Sequence, residues 1–176
     1  MNTLPALKTG KLITIYAPDA ACTETMTLIA ELGLRGPVMI MDGGNCYKPY
    51  QVAMQLRRGT VDVSRAASRI FSRRAFTCYE MNTLLSSTPS LNHPCLILDL
   101  LSTFYDDHVS IHEADRLLKS CLGQIQRLVL SRPVVLTLAP PLADDRAFLL
   151  EQVCAQADEV MAREVPVCQP TQPSLF

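Results

Sequence analysis

The sequence predicts an α/β fold: a mostly parallel sheet flanked by helices on both faces, in a single domain over residues 1–165 with a disordered C-terminal tail over 166–176. Three observations carry that expectation. Short apolar runs alternate with helix-period segments, the order of parallel strands joined by crossover helices. Hydrophobic residues make up 48% of the chain and charged residues 19%, the balance of an ordinary folded protein. From Pro166 onward, Pro166, Pro170 and Pro173 deny the chain regular structure.

Leu12 to Tyr16 reads as the first strand, and the helix after it carries Met26, Ile29 and Leu32 on one face. Val38 to Met41 is the second strand and runs into Asp42-Gly43-Gly44, with a helix around Val52, Ala53 and Leu56 beyond. Phe71 to Thr77 is expected as the third strand and Tyr79 to Leu85 as a helix. Cys95 to Leu98 reads as a buried strand ending at Asp99. The clearest helix repeats Ile111, Ala114, Leu118, Cys121, Ile125 and Leu128 along one face, and Ser110 with Glu113 marks its start as a capping box. Val134 to Leu138 is another buried strand, Asp144-Asp145 opens a further helix, and Val160 to Val165 is expected to close the sheet at an edge.

At 176 residues the chain suits one domain with a real core. Its net charge of −1 gives no global field toward nucleic acid or membrane. No apolar run approaches a spanning helix, and the start shows no charged n-region followed by an apolar stretch, so a cytoplasmic protein is expected. Seven widely spaced cysteines without a CxxC pair read as small apolar residues, not as a disulfide framework or a zinc site.

A phosphate loop, if the chain had one, would follow the first strand. There GxxxxGK[ST] would aim backbone N–H groups and a lysine at phosphates. Here the stretch reads Ala17-Pro18-Asp19-Ala20-Ala21-Cys22-Thr23-Glu24. Both glycines are gone, Thr23 stands where the lysine belongs, and Glu24 replaces the magnesium-binding hydroxyl. A carboxylate there repels a phosphate.

Three later segments resemble the RecA/RadA-type recombinases. Met41-Asp42-Gly43-Gly44-Asn45-Cys46-Tyr47-Lys48-Pro49 is similar to their second-strand motif, roughly I-D-T-E-x-x-F-R-P. Arg74-Ala75-Phe76-Thr77 resembles the R-A-Y/F-x segment that follows. Leu96-Ile97-Leu98-Asp99, continuing through Ser102 to Phe104, resembles their Walker B strand and the turn beyond. The resemblance covers roughly residues 10–165 and implies a RecA-like core.

The departures fall on the chemistry that the resemblance would imply. The family's catalytic glutamate aligns with Gly44, and its sensor triplet with Thr137-Leu138-Ala139. Asp99 survives alone. Phosphoryl transfer needs these parts together. The expected site is therefore a vestigial nucleotide site built from Ala17, Cys22, Thr23, Glu24, Gly44 and Asp99, with no catalytic residue, no metal and no cofactor. The family's DNA-contacting loops correspond to acidic stretches, Asp106-Asp107 and Asp144-Asp145, which disfavour recombinase-style DNA binding.

The chain ends Gln172-Pro173-Ser174-Leu175-Phe176. This resembles the bacterial sliding-clamp-binding peptide, Q-x-[SD]-L-F. An extended peptide can insert Leu175 and Phe176 into an apolar cleft while Gln172 bonds at its rim and Ser174 occupies the small polar position. The prolines before it make a stiff tether.

Arg57, Arg58, Arg65, Arg69, Arg73 and Arg74 form a basic stretch broken only by Asp62. It reads either as a solvated surface or as a phosphate-contacting face, with Arg57, Arg58, Arg73 and Arg74 the candidate DNA contacts. His108 and His112 have metal-binding spacing, but Ser110 as cap puts His108 outside the helix. Tyr47, Lys48 and Tyr50 could stack on a base or pack a helix entry.

The expectation is a non-catalytic accessory protein of DNA replication or repair. It would dock on the sliding clamp through its tail and meet a polymerase or recombinase partner through its core, touching DNA weakly or only indirectly. The alternatives are an ATP-binding enzyme of the same family with an atypical loop, and a DNA-binding module using Arg57–Arg74.

Overall fold

The structure, a computed structural model, describes residues 7–18, 23–141 and 144–162. Six strands form one sheet: β1 (Leu12–Tyr16), β2 (Val38–Asp42), β3 (Ile70–Arg74), β4 (Cys95–Leu98), β5 (Val134–Leu138) and β6 (Glu159–Ala162). They lie in the order β3-β2-β4-β5-β1-β6, and all five pairings are parallel. The helices are α1 (Thr23–Arg35), α2 (Pro49–Gly59), α3 (Val63–Ala67), α4 (Cys78–Ser87), α5 (Ile111–Val129) and α6 (Ala147–Gln156), with 3-10 turns at Leu100–Phe104 and Asp144–Arg146.

Each face of the sheet has its own core. On one, Met26 and Ile29 of α1 and Val52 and Leu56 of α2 pack on Ile15, Ile40, Leu96 and Val135. On the other, Met81 and Leu85 of α4, Leu149 and Val153 of α6 and the whole inner face of α5 pack on Leu12, Met41, Ile97 and Leu136. Alternate residues of the interior strands thus feed opposite cores, which is why β4 and β5 are apolar at nearly every position. The connections from β1 to β2 and from β2 to β3 move one way across the sheet over the first face. The connections from β3 to β4, β4 to β5 and β5 to β6 move the other way over the second. Every crossover therefore has one hand, as βαβ units require.

The α5 helix shows what holds the second face. Its N-cap Ser110 accepts the Glu113 N–H at 3.3 Å, as the capping box predicts. Below it Leu117, Leu118, Leu122, Ile125, Leu128 and Val129 are buried. At about 1.5–3 kcal/mol each, they contribute roughly 9–18 kcal/mol gross, before chain entropy is subtracted.

Four elements differ in detail from the sequence expectation. The third strand ends at Arg74, not Thr77, because the Thr77 side chain accepts the Glu80 N–H and starts α4. The short α3 was not foreseen. Asp144-Asp145 opens a 3-10 turn and not the helix itself, and β6 begins at Glu159, with 163–165 outside the described residues. No helix among the described residues is long and apolar enough to cross a membrane.

Candidate functional site

Ligands of open α/β sheets bind beyond the carboxyl ends of the strands, where neighbouring strands send the chain to opposite faces. Two such places lie inside the sheet, between β5 and β1 and between β2 and β4, and a third lies at its edge, between β2 and β3.

At the second place β2 ends in Asp42, which is 1% exposed. One carboxylate oxygen accepts the Cys46 N–H at 2.8 Å, and the other accepts the Tyr47 N–H at 3.0 Å. Arg74 Nε lies 3.4 Å from that second oxygen, so the buried charge has an opposite neighbour. The chain between them turns through Gly43, Gly44 and Asn45, the last with φ of 55°.

Asp99 follows β4 in the left-handed region, with φ of 47° and ψ of 56°. Aspartate tolerates that region better than most residues with a Cβ, and its surroundings hold it there. Here the Asp99 N–H donates to Thr137 Oγ1 at 2.9 Å, and Asp99 Oδ1 accepts the Ala139 N–H at 3.3 Å. The Cys46 thiol lies 3.9 Å from Asp99 Oδ2. The same side chain fills the space over Gly44. A Cβ on Gly44 would stand 2.3 Å from Asp99 Oδ2 and 2.6 Å from Asp99 Cβ. One on Gly43 would meet the Asp99 carbonyl oxygen at 2.8 Å. The crevice between β2 and β4 is therefore closed by Asp99 itself.

At the first place the Ala17 N–H continues the ladder of β1 and donates to Leu138 O at 3.0 Å. Ala17 is buried, whereas Thr23 and Glu24, which open α1, are exposed. Residues 19–22, Cys22 among them, lie outside the described residues. Strand β5 stands between these two places: Leu138 bonds Ala17 on one flank and Ala139 bonds Asp99 on the other. Tyr105 leans over this end of β5, donating its hydroxyl to Ala139 O at 3.3 Å, and burial raises its pKa strongly.

The arginine stretch does not stay together. A crossover helix runs back along the sheet, so Arg57 and Arg58 at the end of α2 sit toward the amino edge. Arg69 marks the same edge, donating to Leu34 O at the end of α1 at 3.3 Å. Arg73 and Arg74 sit at the carboxyl end of β3, about 16 Å further along a five-residue strand. All four candidate contacts are exposed. Around Arg73 and Arg74 the surface is aromatic: Phe71 is 53%, Phe76 72% and Tyr79 50% exposed, and the Arg74 guanidinium lies 6.0 Å from the Phe76 ring centroid.

His108 lies before α5 and bonds Asp106 through its ring at 2.9 Å, so it does not share a helix face with His112. Among the described residues no group of three His, Cys, Asp or Glu could hold a metal. Gln172, Ser174, Leu175 and Phe176 lie outside the described residues. Sequence reasoning missed Asp42 as the anchor of its turn. The signal was present, since an Asp-Gly-Gly-Asn run after a buried strand favours a carboxylate capping the N–H groups that follow.

No protein-family model matches the chain, and no curated protein matches it.

Proposed function

We propose that the chain is a RecA-like, non-catalytic accessory protein of DNA replication or repair. It docks on a bacterial sliding clamp through Gln172, Ser174, Leu175 and Phe176, and its core engages a polymerase or recombinase partner. The observation that carries the non-catalytic reading is the contact of Asp99 with Gly44. A carboxylate that would hold magnesium is instead bonded to Ala139 and packed over the glycine that aligns with the family's glutamate. No side chain that could orient water fits at that position. With Thr23 and Glu24 at the start of α1 in place of a lysine and a hydroxyl, the residues present do not suit a magnesium nucleotide. The all-parallel sheet with helices on both faces is compatible with the RecA-like core. The separation of Arg57 and Arg58 from Arg73 and Arg74 argues against one phosphate-tracking face.

The test compares purified full-length protein with the Leu175→Ala/Phe176→Ala variant on purified clamp. Burying Leu175 and Phe176 contributes roughly 3–6 kcal/mol gross. After ordering and association costs and the bonds of Gln172, the expected affinity is on the order of micromolar. Equal binding by both proteins, or none by either, overturns the clamp reading. Micromolar affinity for magnesium-ATP by calorimetry overturns the non-catalytic one and restores the enzyme alternative.

A further inference from the structure

Among the described residues no strand lies beyond β3, and four of its five residues are exposed. Its inner edge is fixed by two bonds: the Val38 N–H donates to Arg69 O at 2.9 Å, and the Ala75 N–H to Asp42 O at 3.0 Å. Parallel ladders use alternate residues of each strand. The backbone groups of Phe71 and Arg73 accordingly face β2, and those of Ile70, Ser72 and Arg74 face outward. This outer edge carries none of the usual devices against strand addition beyond its positive charge: no proline, no bulge. Beside it runs α4, and the channel between them is lined by Arg73, Phe76, Tyr79, Thr83 and Leu84. The channel's one carboxylate, Glu80, already accepts the Phe76 N–H at 2.7 Å.

We infer that this edge is a docking site for an extended, acidic segment of a partner protein, which adds to the sheet as a strand alongside β3 in the channel beside α4. Three features of the surface select that occupant. The outward groups alternate N–H and C=O, which another strand's backbone matches and a nucleic-acid backbone does not, because its phosphates would face the carbonyl oxygens. Arg73, on the α4 side of the strand, asks for a carboxylate on that face of the added strand, and Phe76 and Tyr79 offer rings to its apolar residues. A second copy pairing β3 against β3 would put four arginines and no acidic residue on the two paired strands, so the partner is a chain of opposite charge. The inference does not depend on the tail or on a clamp.

The experiment selects a phage-displayed library of random peptides on the immobilised full chain. Recovered peptides are then measured against two variants. Ser72→Pro removes an outward N–H and spares the ladder to β2, a position where an edge strand accepts proline. Arg73→Glu reverses a charge on a side chain that makes no contact with the buried Asp42. The expected result is enrichment of acidic peptides, bound at least tenfold more weakly by each variant, with both variants melting near the wild type. Should Ser72→Pro fail to fold, Arg73→Glu decides alone. No enrichment, peptides without acidic character, binding unchanged in Arg73→Glu, or selected peptides displaced by single-stranded oligonucleotide at lower concentration than by free peptide would each overturn the inference. Concentration-dependent dimerisation that blocks peptide binding would do the same.

Discussion

Gly44→Ala is the smallest perturbation that tests whether Asp99 closes the crevice. The added Cβ would stand 2.3 Å from Asp99 Oδ2, 2.6 Å from its Cβ and 2.8 Å from its Cγ. Asp99 cannot swing aside freely, because Thr137 and Ala139 hold its N–H and its carboxylate. Overpacking of this kind costs about 1–3 kcal/mol. For a chain of this size each kcal/mol shifts Tm by about 2–4 °C, so the melt followed by circular dichroism should fall by about 2–12 °C. Gly123→Ala is the control. No atom lies within 4 Å of a Cβ there, and within α5 the change should raise stability by about 0.5–1 kcal/mol. Adding Asp99→Gly to Gly44→Ala removes the obstructing side chain and suits the left-handed backbone, so the pair should recover part of the loss. A Gly44→Ala protein that melts with the wild type, or a double variant worse than the sum of the singles, would refute the reasoning.

Burial pushes the Cys95 and Cys121 thiols up to about 12, so neither should carry thiolate at neutral pH. A thiol-specific label followed by mass spectrometry should modify the half-buried Cys46 and Cys154 before Cys95 and Cys121, which it should reach only as the protein unfolds; equal rates for all four in the native protein would be the contrary result. The Asp106 carboxyl is held below the usual carboxylate range, first by the His108 backbone N–H and then by its imidazole. Its folded value being depressed, its small contribution to stability is present above the ordinary carboxylate pKa of about 3.9 and is lost as pH falls through the folded value. An NMR titration of His108→Ala should still find Asp106 below the ordinary range, because the backbone donor remains; a full return to it would contradict the assignment.

The strands of the sheet's interior were legible because β4 and β5 are buried on both faces, so that Thr137 is their one polar position. The edges were harder. Arg73 and Arg74 are as polar as a loop, and only the ladder to β2 makes them strand. The end of β3 was misplaced although Thr77 and Glu80 form the same capping pair that located α5 correctly at Ser110 and Glu113. Asp144-Asp145 suggested a helix start, but Arg146 is drawn away to the carbonyls of Phe104 at 2.6 Å and Val109 at 2.7 Å, contacts some forty residues off that no local pattern contains. The site divides the same way. The order of its segments could be read along the chain, whereas the seating of Asp99 over Gly44 is a meeting of two loops set by packing across the sheet.

The position of β1 bears on how the chain comes together. Of the described strands β1 is made before the others, yet it is an interior one, paired with β5 on one side and β6 on the other. The Leu12 N–H finds the Asp158 carboxylate 146 residues away. At about 5–20 residues per second of synthesis, Leu12 and Ile13 wait on the order of ten seconds for both neighbours to exist. During that interval an apolar segment meant for the middle of the sheet has no partner, while β2, β3 and β4 with their helices can already pair among themselves. Folding on the ribosome should therefore proceed from the β3 side, with β1 inserted last as a closing stave, and β1 should be the segment that needs chaperones most.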